Sequence, residues 1–141
     1  MVDPDRVRKL LGRIADRRDS LTRYGDRSAE DYLAAEEAIA ASKYLIVTAI
    51  EDVLSVANHI IASEGWRSPA DYADAFVVLR EHGVLSDGLA RRLAAMARFR
   101  NLLVHVYAEI DDRRVHRFLS EDLGDLEAFS SAVLDLLEEE E

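Results

Sequence analysis

Residues 98–107, Arg-Phe-Arg-Asn-Leu-Leu-Val-His-Val-Tyr, place a guanidinium, an amide, an imidazole and a phenol within about two turns of a helix. At about 100° per residue, Arg100, Val104 and Tyr107 share one side, with Asn101 and His105 next to them. Met96, Phe99, Leu102, Leu103 and Val106 form the opposite, apolar face. The polar set suits phosphodiester chemistry. Arginine is permanently charged and forks onto two phosphate oxygens. Histidine gives or takes a proton near neutrality. Asparagine orients a ring nitrogen or a ribose hydroxyl, and tyrosine donates a hydrogen bond, stacks on a base, or offers a modifiable hydroxyl. RNA brings its own nucleophile, the 2′-OH, so a base, an acid and an arginine over the developing charge suffice without a metal. One histidine per chain is one proton-handling group, and two copies facing across a dimer cleft would supply both. The same spacing also fits an amphipathic helix whose Arg and His only pack or face water.

These residues need a scaffold, and composition bounds it. The chain has 141 residues, no cysteine and only two prolines. That length suits a single domain, 1–141, with one core. The absence of cysteine removes disulfide frameworks and thiolate zinc sites. The histidines have no zinc-site spacing, and there is no phosphate-binding Gly-rich loop, so no metal or cofactor is expected. The apolar runs look short of the ~20 residues that span a bilayer. No signal segment is seen either, so the expectation is a soluble cytoplasmic protein without a membrane partner.

A net charge of −10 argues at first against nucleic acid. Its distribution weakens that objection. Residues 108–141 hold twelve acids against three arginines, including the acidic tail from Glu138. Residues 28–65 hold seven acids against Lys43 alone, whereas residues 83–107 hold four arginines against Asp87. The stretch with the chemistry is basic in an acidic chain.

Nearly every segment reads as helix. Asp3-Pro4 is a start signal and Gly25 a stop. A second helix is expected from about 29 to 63, some 50 Å long, too long for a small domain unless it kinks or meets a partner. Ser68-Pro69 marks the start of a helix ending at Gly83, and Ser86 caps the helix that bears the Arg and His. Residues 115–119 suggest one short helical turn, and a last helix runs from about Asp122 to Glu138. No segment alternates with period two, so the expected fold is all-α: an up-and-down bundle of four main helices plus a short one.

The second helix is apolar on several sides between Tyr44 and Ile61, which points to a homodimer; a central helix wrapped by its own neighbours is the alternative. Thr48, Asp52, Ser55 and His59 form a stripe of short polar residues on it, flanked by Glu51 and Asn58. An ordinary solvent face explains the stripe about as well as a site does. His82 suits a helix end, His116 a solvent-facing position, and His59 either packing or a cleft.

The stretch Phe99-Arg100-Asn101 through His105 and Tyr107 resembles the Arg-x4-His-x-Tyr motif of the HepT-like branch of the HEPN superfamily. Similarity extends to residues 44–61, with Ile50-Glu51-Asp52 and Asn58-His59, to Tyr72–Phe76 with Gly83-Val84-Leu85, and to the apolar pattern Val115, Leu119, Leu123, Leu126 and Phe129. In all it covers roughly residues 5–137. The resemblance implies a homodimeric, metal-independent endoribonuclease toxin of a toxin–antitoxin pair. Arg100 and His105 would be catalytic at the dimer cleft, with Asn101 beside them. It also implies a nucleotidyltransferase antitoxin of the MNT type that uses ATP to adenylylate Tyr107. Asp52, Asn58 and His59 are placed at or behind that cleft. The competing reading is a non-catalytic helical dimer that binds RNA or a nucleotide and docks a nucleotidyltransferase.

Overall fold

The computed structural model describes residues 1–140. It contains seven helices and no strand among the described residues: α1 Pro4–Gly25, α2 Ala29–Leu33, α3 Glu36–Glu64, α4 Tyr72–Glu81, α5 Asp87–His105, α6 Asp112–Glu121 and α7 Gly124–Glu140, with a 3-10 turn at Tyr107–Glu109. α3 is central. It packs along α1 and against α2, α4 and α5, while α6 and α7 close the bundle against α1 and α5.

The helix starts follow from local chemistry. Asp3 accepts the Arg6 N–H, and Pro4 opens α1 where no amide hydrogen is needed. Ser28, Asp71 and Ser86 accept the amides of Asp31, Asp74 and Leu89. α3 ends at Gly65, whose φ of 70° is open to glycine and lets the Trp66 N–H return to the Ile61 carbonyl at 3.0 Å. Gly83 closes the segment after α4 in the same way, with φ 76° and Val84 N–H bonded to Leu79 C=O at 2.9 Å. Gly25 has a different reason. It lies directly against the Leu119 carbonyl of α6, and a Cβ there would collide with backbone.

Three expectations need correction. The single helix over 29–63 is two helices, broken at Ala34-Ala35 without a glycine or proline. Tertiary packing makes the break. Tyr32 is fully buried, its hydroxyl lies 2.6 Å from Ser42 Oγ, and its ring lies 5.2 Å from that of His116. Burying that side chain outweighs the continuity of a poorly capped helix. The short turn near 115–119 is a ten-residue helix, capped by Asp111 and buried through Val115, Phe118 and Leu119. His116 is half-buried, its Nε2 donating to the Arg27 carbonyl at 2.7 Å, so it does not simply face solvent.

α3 also revises the two arguments built on its apolarity. It is long and apolar enough to cross a membrane by length and composition, but 56% of that window is buried inside the bundle. Thirteen of its residues are buried, among them Ile46, Ile50, Val53, Val56, Ala57 and Ile60. Its own neighbours therefore cover most of the circumference that had pointed to a twin. Of its large apolar side chains only Tyr44 is exposed; the others exposed among the described residues are Met1, Tyr72 on α4, Leu134 on α7, and Leu102, Val104 and Tyr107 along the motif.

Candidate functional site

α5 presents its residues as an amphipathic helix must. Leu93, Met96, Ala97, Phe99 and Leu103 are buried, and this packing fixes the rotation of the helix. Arg100 then falls at the edge between core and solvent. Its side chain, 16% exposed, lines an open cavity of about 570 Å3 formed with Glu51, Asn58 and His59 of α3, Tyr72 of α4, and Arg6.

The guanidinium is incompletely satisfied there. Its carbon lies 5.3 Å from the centroid of the Tyr72 ring. Nη1 donates to Asn101 Oδ1 at 3.2 Å and Nη2 to Glu51 Oε1 at 3.4 Å, both long for bonds from a cation. Nε is buried and has no acceptor. A guanidinium carries five N–H donors, so most of this fork is unspent. A cation held against an aromatic face at the wall of an open polar cavity, with its existing hydrogen bonds long, suits an anion.

The other residues distribute unevenly. Asn101 is half-buried beside Arg100 and orients it. Asn58 and His59 line the same cavity. The His59 Nε2 accepts the Asp3 backbone N–H at 3.1 Å, so the ring carries its proton on Nδ1 and pins the N-terminal segment. Asp52 faces the opposite way. It is buried against α1, paired with Arg17 at 2.9 Å and Arg13 at 3.2 Å. Its neighbour Glu51, one residue and ~100° away, is the carboxylate on the cavity side. The expected stripe is thus split, and Asp52 belongs to the core of the bundle.

His105 and Tyr107 lie apart from the Arg100 cavity. His105 is the last residue of α5, exposed, and ~7.5 Å along the axis and ~140° around it from Arg100. Regular helix stops there. Val106 leaves the helical region (φ −130°, ψ 37°), so Tyr107 is not on the face that helical spacing predicts. It stands 46% exposed in the 3-10 turn. Lys43 holds that turn. Its side chain is buried; Nζ donates to the Tyr107 carbonyl at 3.3 Å, pairs with Asp112 at 2.8 Å and lies 4.5 Å from the Tyr107 ring centroid. Lys43 is marked by no motif or spacing, although it is conspicuous as the lone basic residue of 28–65, and Tyr72 entered only as part of the resembling stretch Tyr72–Phe76, with no site role.

The model of the ribonuclease HepT-like family matches residues 14–133, including every residue of the motif. The chain belongs to this family. Among curated proteins, the tRNA nuclease HepT of Aphanizomenon flos-aquae is 27% identical over 113 residues, covering 79% of this chain and 74% of the relative. The fold is shared with the tri-AMPylated HEPN toxin of Shewanella oneidensis in complex with MNT antitoxin: TM-score 0.84, 21% identity, covering 92% of this chain and 96% of the other. A toxin–antitoxin crystal structure with AMP-PNP superposes with a TM-score of 0.86 at 18% identity over 93% and 98% of the two chains. The HepT-like family model thus spans α3 to α6 in full and carries the Arg-x4-His-x-Tyr stretch with them.

Proposed function

We propose that the chain is a toxin of a toxin–antitoxin pair, an endoribonuclease that acts as a homodimer and is silenced by adenylylation of Tyr107. The observation that carries the reading is the unspent Arg100 fork in its cavity, on the same helix as an exposed histidine. Membership of the ribonuclease HepT-like family and the likeness to a tRNA nuclease support RNA as substrate.

Arg100 binds the scissile phosphate and stabilises the charge that develops on its oxygens. His105 takes the proton from the attacking 2′-OH in one copy, and its counterpart in the second copy protonates the leaving 5′-oxygen. The arrangement within one chain supports the dimer. Within one chain Arg100 and His105 look out on different sides of α5, so a second copy is required to bring two proton-handling groups to one phosphate. Exposed Tyr44, Val104 and Tyr107 supply apolar surface for that contact. Arg and His supply the charge and proton transfers that the reaction needs, so the reading requires no metal.

Silencing follows from position. Tyr107 is exposed two residues beyond His105. An adenylate on its phenol adds bulk and negative charge where RNA would lie. The likeness to toxins seen with MNT antitoxin supports an MNT-type nucleotidyltransferase as the partner, with ATP as its donor.

The test is RNA cleavage by the purified protein, wild type against Arg100→Ala and His105→Ala, with mass measured after co-expression with the partner. Loss of ~10²–10⁴ in rate is expected for His105→Ala. Adenylate mass should appear on wild type and not on Tyr107→Phe. Equal cleavage by all three proteins refutes the site. RNA retarded on a gel but left full length by wild type favours the non-catalytic docking module instead.

A further inference from the structure

We propose that the cavity where α5, α6 and α7 meet is a base-recognition subsite of the RNA strand, selecting a nucleobase that presents N–H donors, guanine over uracil. The proposal rests on the ribonuclease reading and adds a second point at which substrate is held.

The cavity has a volume of about 280 Å3, near the lower end for ligand sites, which suits one base rather than a dinucleotide. Its floor is apolar: Met96 and Phe99 of α5, and Phe118 of α6, whose ring stacks on Phe99 at 5.0 Å. The Arg114 guanidinium lies over the Phe99 ring, 5.1 Å from its centroid, and places a planar cation at this apolar floor, a group on which a base can stack.

The walls carry an arginine pole on α6 and, next to it, an acidic one into which Arg92 is paired. Arg114 and Arg117 stand on α6 with no carboxylate partner among the described residues, and both are exposed. Glu121, Asp122 and Asp125 gather at the α6–α7 junction. Only Asp125 is engaged, accepting from Arg92 Nε at 2.9 Å. Burial, then the nearby Asp125 and Glu121, hold the Asp122 carboxyl above the ordinary carboxylate range. That crowding is relieved by a ligand that donates hydrogen bonds. Guanine offers adjacent N1–H and N2–H donors, which one carboxylate accepts together. Uracil offers a single N–H between two carbonyl oxygens that the carboxylates repel. The arginine pole meanwhile suits the phosphate attached to that base.

α5 connects this cavity to the reaction site. Arg91, Ala95, Arg98, Leu102 and His105 recur at three and four residues, and all are exposed. Arg91 and Arg98 have no carboxylate partner among the described residues, unlike Arg13, Arg17, Arg67 and Arg92. The stripe is therefore a basic track with small or apolar side chains between the charges. From His105 to Ala95, at the cavity rim, is ~15 Å along the helix, a span of a few nucleotides.

The experiment measures fluorescence anisotropy of short single-stranded RNAs, identical except for G or U at one position, with His105→Ala protein so that the probe stays intact. Arg114→Gln/Arg117→Gln should weaken binding about tenfold and reduce the salt slope by ~1.4, two phosphate contacts at ~0.7 each. Asp122→Asn/Asp125→Asn should abolish the preference for G while leaving the U probe bound as well or better. Each variant is also made with His105 intact and compared with wild type in cleavage. Variants that bind with unchanged affinity, slope and G-to-U ratio, or cleave with the wild-type site preference, overturn the subsite and leave the ribonuclease reading standing. A wild type that prefers G but cuts nothing supports the subsite and overturns cleavage. A wild type that neither binds nor cuts RNA overturns both.

Discussion

Lys43, buried in the middle bundle helix, reaches across to Tyr107 and holds it twice, by its carbonyl at 3.3 Å and by its ring at 4.5 Å. The tyrosine expected to accept an adenylate is thus positioned from α3 and not by the helix that bears Arg100. The Asp112 carboxylate, 2.8 Å from Nζ, compensates the charge and brings the start of α6 into the same cluster.

Replacing Lys43 by methionine keeps the aliphatic stem and removes the ammonium. Asp112 then loses its partner in a partly buried setting, and the expected destabilisation is about 1–3 kcal/mol, read by denaturant unfolding. Adenylylation of Tyr107 by the partner should slow markedly in the folded protein, since the turn is no longer fixed. Unchanged stability together with unchanged modification kinetics would show that the Lys43 contact positions nothing.

Asp52 separates structure from chemistry. It sits among the polar residues of α3, yet it neutralises Arg13 and Arg17 of α1 and is itself buried. Asp52→Asn leaves two guanidiniums facing a neutral amide, with an expected loss of ~1–3 kcal/mol in stability. Its RNA cleavage per folded molecule should match wild type. A variant as stable as wild type but catalytically weak would return Asp52 to the active cleft.

The entry to α4 gives a pH signature. Arg67 forks onto Asp74 at 2.8 and 3.0 Å and onto Glu81 at 2.7 Å. The Arg67 hydrogen bonds, then the Ala70 amide, hold the Asp74 carboxyl down at about 2, and the same guanidinium lowers Glu81. A carboxylate whose pKa is lowered by folding contributes stability above its unfolded pKa of ~3.9 and loses it as the pH falls through the folded value. The contribution is therefore present at neutrality and disappears between about pH 4 and 2. NMR titration of the Asp74 carboxyl should show a midpoint near 2 in wild type and a higher one in Arg67→Met, where the Ala70 amide still lowers it. Because Arg67 and Glu81 of the clamp are exposed, added salt should raise the wild-type midpoint. An ordinary wild-type midpoint at low salt would mean that the clamp does not form in solution.

The starts at Asp3-Pro4 and Ser86 were legible because their caps declare themselves locally, and most of the buried face of α5 from its apolar spacing; Ser68-Pro69 pointed too early for α4, which Asp71 caps. The Arg100–Asn101 pair was legible from its place on α5, whereas spacing left Asn58 and His59 between a solvent face, packing and a cleft, and only the packed structure sets them on the Arg100 cavity. What sequence could not disclose depends on contacts between distant residues. No local signal breaks the chain at Ala34-Ala35; Tyr32 does so by burying itself beside Ser42 and His116. No periodicity separates Glu51 from Asp52, which share a polar stripe; two arginines of α1 decide which of them turns inward. Helical spacing carried Tyr107 onto the wrong face because a helix end without a glycine or proline looks like more helix.

That helix end divides the motif mechanically. The last regular bond runs from Val106 N–H to Leu102 C=O at 2.9 Å, after which the chain is a three-residue turn. Arg100 rides on a nineteen-residue helix keyed into the core, and shifting it would disturb Phe99 and Leu103 as well. Tyr107 rides on a segment none of whose side chains is buried. A group added to the phenol would bear on the turn that Lys43 and Asp112 hold, not on the buried residues of α5. The motif thus joins two differently anchored parts: Arg100 keeps its registration through the core, while Tyr107 answers to a single lysine from another helix.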